Sequence, residues 1–328
     1  MNPHMIVLLA ALVGACSFSA AESPIPEQWH SAPLEVTRID LGAERIGSLR
    51  FRGGLALSSE DRRFGGLSGL EVLEDGRLLA VSDDGMWFSA RIELDADGTL
   101  TGVAEPRLAA MRDEHGALFE NKQGGDSEDI AQLPDGRFAV AFEQRQIIRI
   151  YDLNRDGPFG EAVRGPPLAE TNLLPANVGL EAIASTADGA LIVGAEGSGA
   201  LWRARPTADT PAPPISHYPL EFGYALTSLD RLPDGDFVAL ERFYAPVIGA
   251  RAHITRLAAD SLEDPAAQVT LLADLRAPLV VDNFEGVSAV RAPDGGVRLY
   301  IVSDDNFSAS QRTLLYAFDV VEGEAGGG

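Results

Sequence analysis

The sequence predicts an all-β chain folded as a single β-propeller, and three observations predict it. The dipeptide Asp-Gly, a preferred tight-turn pair, recurs at Asp75-Gly76, Asp135-Gly136, Asp188-Gly189, Asp234-Gly235 and Asp294-Gly295. Apolar-rich runs flank each turn, as in 128–133 with 137–142 or 181–185 with 190–195. Helix signals are nearly absent, and two further strand-like runs separate successive hairpins, for example 147–153, 200–205 and 253–257, many with period-two alternation. Four strands per repeat make a propeller blade.

The elements follow in order from the N-terminus. Residues 1–21 carry no Asp, Glu, Lys or Arg and hold an apolar run at 5–15, too short to span a bilayer permanently, so they read as a secretory signal peptide. Cys16, the only cysteine, follows Val13-Gly14-Ala15 in a pattern that resembles a lipobox, and lipidation there would make an outer-membrane lipoprotein. The rival cut follows Ser19-Ala20-Ala21 and would give a soluble periplasmic form. The run 34–41 has no hairpin partner, and the fifth repeat ends after 314–320 with three strands. The N-terminal strand is therefore expected to complete the last blade and close the ring, removing two exposed edges. This gives five blades; six is the alternative, with 49–58 anchoring a degenerate extra one. The propeller domain spans 34–320, and 321–328 reads as a flexible acidic, Gly-rich tail.

Composition excludes several classes. With 328 residues, 45% apolar and 23% charged, the chain is an ordinary globular one and not a disordered acidic polymer. Its 49 acidic against 26 basic residues give a net charge of -23, a field that repels phosphate backbones and anionic bilayers. Nucleic acid is not an expected partner, membrane contact is expected only through an N-terminal lipid, and a monomer is expected.

The repeat register concentrates acids. In an antiparallel hairpin, the start of the first strand and the end of the second lie side by side, opposite the turn. The first slot holds Ser68, Glu128, Glu181, Thr227 and Glu285; the second holds Asp83 with Asp84, Glu143, Glu196, Glu241, and Asp304 with Asp305. Because the first strand of each blade lines the central channel, these carboxylates should gather at one mouth. Like charges that close need a cation among them, and hard oxygen ligands at this density suit Ca²⁺. The expected metal ligands are Asp83, Glu128, Glu181, Glu196, Glu285 and Asp304. A solvated acidic rim is the plain alternative.

Arg145 follows Glu143-Gln144 and Arg242 follows Glu241, and the loop 112–126 brings His115 and Lys122 to the same face. A cation with guanidinium groups beside it suits a small anionic ester substrate, the metal neutralising the anion and the arginines holding its oxygens. The expected catalytic residues are Asp84, Glu143, Arg145 and Arg242. Other chemistry fails on inspection. Gly66-Leu67-Ser68-Gly69 misses the nucleophile elbow, no Asp-x-x-His follows Gly124-Gly125-Asp126-Ser127, and no histidine pair has zinc-ligand spacing.

The block Arg63-Phe64-Gly65-Gly66-Leu67-Ser68-Gly69-Leu70, with Ser82-Asp83-Asp84-Gly85 after it, resembles the opening of the bacterial phytase-like domain family, also called esterase-like activity of phytase. Glu128-Asp129-Ile130, Gly179-Leu180-Glu181-Ala182-Ile183, Glu241-Arg242-Phe243, Asn283-Phe284-Glu285-Gly286-Val287 and Ser303-Asp304-Asp305-Asn306-Phe307 agree in order, followed by Gln311 and Thr313. The resemblance covers about residues 48–320. It implies an exported propeller related to calcium-dependent phytases that cleaves phosphate or related esters. A non-catalytic, ligand- or partner-binding propeller of the cell envelope is the alternative from a different class.

Cys16→Ser should release the protein from membranes in fractionation. A protein already soluble in the periplasm before the substitution would instead mark the cut after Ala21.

Overall fold

Each of the five repeat Asp-Gly pairs ends a three-residue hairpin loop. The Gly76 N–H donates to the Leu73 carbonyl (2.9 Å) and the Leu73 N–H to the Arg77 carbonyl (2.8 Å), and the same two bonds recur at 133–137, 186–190, 232–236 and 292–296. The five glycines have φ between 78° and 104°, the left-handed region that a side chain disfavours. The repeated dipeptide is therefore a backbone requirement met five times.

The computed structural model describes residues 28–175, 178–264, 267–292 and 294–321; the signal segment 1–21 and most of the tail, 322–328, lie outside the described residues. The chain forms five antiparallel sheets in a ring. The innermost strands are Leu67–Val72, Ser127–Gln132, Leu180–Ser185, Tyr224–Arg231 and Asn283–Arg291, which define blades one to five. Second strands such as Phe138–Phe142 and Leu191–Ala195 are buried at every position, because each blade is packed on both faces. Five apolar clusters fill the five gaps, one joining Leu79, Val81 and Trp87 of blade one to Ile130, Phe138 and Phe142 of blade two, another joining Val238 and Leu240 of blade four to Phe284 and Ile301 of blade five.

Closure differs in detail from the expectation. The fourth strand of blade five is Leu49–Ser58, paired antiparallel with Thr313–Val320, and the run at 34–41 supplies a fifth, outermost strand, Glu35–Ile39. Burial explains the choice. Leu49, Leu55 and Leu57 are buried, whereas four of the five residues of Glu35–Ile39 are exposed and suit an edge. His30–Ser31 pairs with Leu108 and Arg107 on blade one, so the N-terminal segment grips both blades that meet at the seam.

The inner strands pose a separate problem. Each turns one edge toward the axis, where its N–H groups have no ladder partner. Buried polar side chains bond them across blades. Asp129 accepts from Ile183 N–H (2.9 Å), Leu229 N–H (3.1 Å) and Ser228 Oγ (3.1 Å), joining blades two, three and four. Ser228 Oγ accepts from Val287 N–H, Asp230 from Ala289 N–H, Ser288 Oγ from Val72 N–H and Glu71 from Gln132 N–H, which completes the circuit.

Asp129→Ala strands two backbone donors in the channel and should destabilise the fold by about 2–5 kcal/mol in urea denaturation, with Asp129→Asn costing less. A loss under about 1 kcal/mol would contradict the role given to this carboxylate.

Candidate active site at the channel mouth

Every first hairpin carries a register shift at the end away from its turn. Leu67 pairs with Ser82 and Gly69 with Val81, leaving Ser68 as the extra residue; Glu181, Thr227 and Glu285 are extra in the same way, and in blade two the shift falls at Glu128-Asp129. A bulge re-aims its side chain out of the alternation. Five bulges turn Ser68, Glu128, Glu181, Thr227 and Glu285 toward the axis end, three of them acids.

The residue following each second-strand partner forms an outer tier. Ser82, Phe142, Ala195 and Ser303 occupy the paired position, and Asp83, Glu143, Glu196 and Asp304 come next. In blade four the paired residue is Glu241, opposite Leu226, so the tier position belongs to Arg242. The sequence alignment is thus one residue out in that blade, and a one-residue step moves a side chain to the other face. Glu241 is buried away from the mouth, where it accepts from Tyr218 Oη (2.6 Å) and lies 3.6 Å from His253 Nδ1.

The result is a cavity of about 300 Å³ containing eight carboxylates, those of Asp83, Asp126, Glu128, Glu143, Glu181, Glu196, Glu285 and Asp304, against the cations Lys122 and Arg242. Arg242 is 3.0 Å from Glu196 and 3.1 Å from Glu285, while Lys122 reaches Asp83 and lies 3.6 Å from Asp126. Glycine lets the acids lean inward. A Cβ on Gly66, at φ 60°, would sit 2.2 Å from Asp83 Oδ1, and one on Gly179 would sit 2.7 Å from Glu143 Cγ. Burial, then the charges of Asp126 and Glu196, push the Glu143 carboxyl up to about 7. Burial raises Glu285 to about 7 against the pull of Arg242, and burial with Asp83 raises Asp304 to about 8. Glu181 is likewise raised well above the usual carboxylate range, first by burial and then by Glu128.

All six expected metal ligands line this cavity, but they are not equivalent. Among the described residues, two trios bring ligand oxygens within 4.8 Å of one another: Asp126, Glu128 and Glu143, and Glu143, Glu181 and Glu196. Glu143, expected as a catalytic group, is their shared member. Asp83 is instead the partner of Lys122. Of the other expected catalytic residues, Arg242 is in the cavity, whereas Arg145 and Asp84 are exposed and outside its lining. The turn after Glu143 sends Gln144 inward and Arg145 to the flank, which is why adjacency in sequence misplaces the arginine. His115 is also exposed, held over its own loop by Asp113. Asp126 escaped the sequence reading because the other repeats put Gly66, Gly179, Ala225 and Asn283 in its slot; its backbone contact with Glu143 (3.0 Å) is the register signal that finds it.

The residues present fit a metal ion. The donors are all hard carboxylate oxygens, and buried Asp83 Oδ1 and Asp126 Oδ1 have no hydrogen-bond partner among the described residues. Eight carboxylates against two cations leave repulsion that is costly, and a divalent cation offsets it directly.

The sequence matches the family described as phytase-like, "esterase-like activity of phytase", over residues 62–307. No curated protein matches. Among solved structures, a calcium-binding protein, regucalcin, from Agrobacterium tumefaciens is 14% identical, covering 91% of this chain and 93% of its own with a TM-score of 0.43. A virginiamycin B lyase from Staphylococcus aureus is 11% identical, covering 83% of this chain and 82% of its own, with a TM-score of 0.41.

Carboxyls held at about 7 to 8 are harder to ionise in the folded chain than in the unfolded one, so without metal they weaken the fold once charged. In chelator, the melting temperature should rise as pH falls from about 8.5 to 5, and Glu143→Gln should flatten that rise. A melting temperature constant or falling over the same window would count against the cluster electrostatics.

Proposed function

Since the chain belongs to the phytase-like family, matched over residues 62–307, we propose that it is a metal-dependent hydrolase of phosphate or related esters working at the acidic mouth of the propeller. The observation that carries this reading is the pair of carboxylate trios sharing Glu143, flanked by Lys122 and Arg242 in one cavity. An all-oxygen set spread over several blades suits Ca²⁺, which accepts six to eight such ligands with flexible geometry. When bound, the cation supplies charge neutralisation and polarises the ester's oxygens.

The chain's own groups supply the rest. Asp126, Glu128, Glu143, Glu181 and Glu196 hold the cation. Lys122, 56% exposed at the side chain, is the more accessible positive charge for an incoming anion, while Arg242 is braced by Glu196 and Glu285 and presents a fixed guanidinium to charge that develops in the cavity. Asp304, whose carboxyl is raised to about 8 in the metal-free chain by burial and then by Asp83, is the group suited to protonate a departing oxygen. Export to the periplasm, by either N-terminal processing route, is part of the same proposal, as is a small-molecule anionic ester as substrate.

A non-catalytic binding propeller remains the second reading, favoured by the engagement of Arg242 with two carboxylates. A panel of phosphomonoesters, phosphodiesters, carboxyl esters and lactones separates the two. Hydrolysis of one class with Ca²⁺, falling about 100-fold or more in chelator and in Glu143→Gln, is the expected outcome. Activity that survives both treatments would sink the metal mechanism, and silence across the panel with Ca²⁺ bound would favour the binder.

A further inference from the structure

Arg145 lies in a second groove, of about 470 Å³, on the flank of blade two and separated from the acid cavity by the turn Lys122–Gly125. Arg149 and Arg164 line the same groove and stand directly opposite each other on paired strands. Like charges in that position repel, and a chain with a net charge of -23 has ample carboxylate to compensate them. Compensation is nevertheless partial. Arg149, 6% exposed, faces Glu114 at 3.2 Å, but the side chains of Arg145 and Arg164 make no hydrogen bond or ion pair with any of the described residues. Of the acids in the lining, Asp113 has Oδ1 turned to the backbone N–H groups of His115 and Ala117, and Glu120 is exposed at the edge. The lining also holds the apolar side chains of Leu118, Phe119 and Ile147, and the Arg149 guanidinium lies 5.0 Å over the Phe119 ring.

We propose that this groove binds a small organic anion: an oxyanion gripped by Arg145 and Arg164, carried on an apolar or aromatic body that packs against Phe119 and Ile147. Guanidinium forks match carboxylate and phosphoryl oxygens in pairs, and the buried Arg149 adds a fixed positive charge behind them. A purely inorganic anion would leave the apolar side chains unused, and a neutral aromatic would leave the arginines uncompensated. The site is independent of catalysis in the acid cavity.

The test is binding, measured by calorimetry with phenyl phosphate and benzoate on the full chain in chelator, so that neither metal nor hydrolysis enters. At least one aryl anion should bind, more tightly than inorganic phosphate or benzyl alcohol, and the tighter of the two identifies the preferred headgroup. The double variant Arg145→Ala, Arg164→Ala should weaken it about tenfold or more. Both side chains are exposed, so an unchanged melting temperature is expected to accompany that loss. Ile147→Ser should weaken the aryl anion and leave inorganic phosphate unaffected. The proposal is overturned if neither aryl anion binds, if inorganic phosphate binds as tightly as phenyl phosphate, or if Lys122→Ala abolishes binding while the arginine pair is dispensable, which would place the anion in the acid cavity.

Discussion

The edge of each inner strand that faces the propeller axis governs the rest of the structure. Five blades bring five such edges to the axis, where their N–H groups have no neighbouring strand to pair with. Asp129, Ser228, Asp230, Ser288 and Glu71 bond them across blades, so the ring is held by side chains at its centre as well as by apolar surface in its gaps. Polar residues on the inner strands are thus a condition of the fold before they are a source of chemistry.

The same condition separates structural carboxylates from available ones. Asp129 is saturated by three donors. Farther along the strands the bulges lift Glu128, Glu181 and Glu285 out of the ladder alternation, to where backbone donors are fewer. Glu143 receives one long contact from Gly179 N–H (3.3 Å), and Asp83 Oδ1 receives none from the described residues. Charge without donors raises the affinity of these groups for protons and cations alike. A repeat fold multiplies one register choice by the number of blades, which is how a single bulge becomes a ring of carboxylates.

Sign is also sorted in space. Acids converge on the axis, because inner-strand ends do, and the flank between the first two blades collects arginines on its outer strands. The turn at Glu143 divides the two environments: Gln144 belongs to the acid cavity and Arg145 to the basic groove. Lys122 works at the boundary, since the short turn that carries it separates the two spaces while its ammonium reaches Asp83.

By itself the sequence determined the architecture and the identity of most acids at the mouth. Asp-Gly turns demand a left-handed glycine, and alternating apolar runs demand a two-faced sheet; both are local constraints that repeat legibly along the chain. The partners of those acids were decided by the tertiary structure. Glu241 and Arg242 exchange roles through one residue of register, Asp126 joins the cluster because it accepts the Glu143 N–H at a position where blades one and three carry Gly66 and Gly179, and Leu49–Ser58 takes the closing place from Glu35–Ile39 because its leucines can be buried on both sides. Each of these outcomes depends on pairing between segments far apart in the chain. Local pattern fixes what a residue can do, and only the closed ring fixes which neighbours it meets.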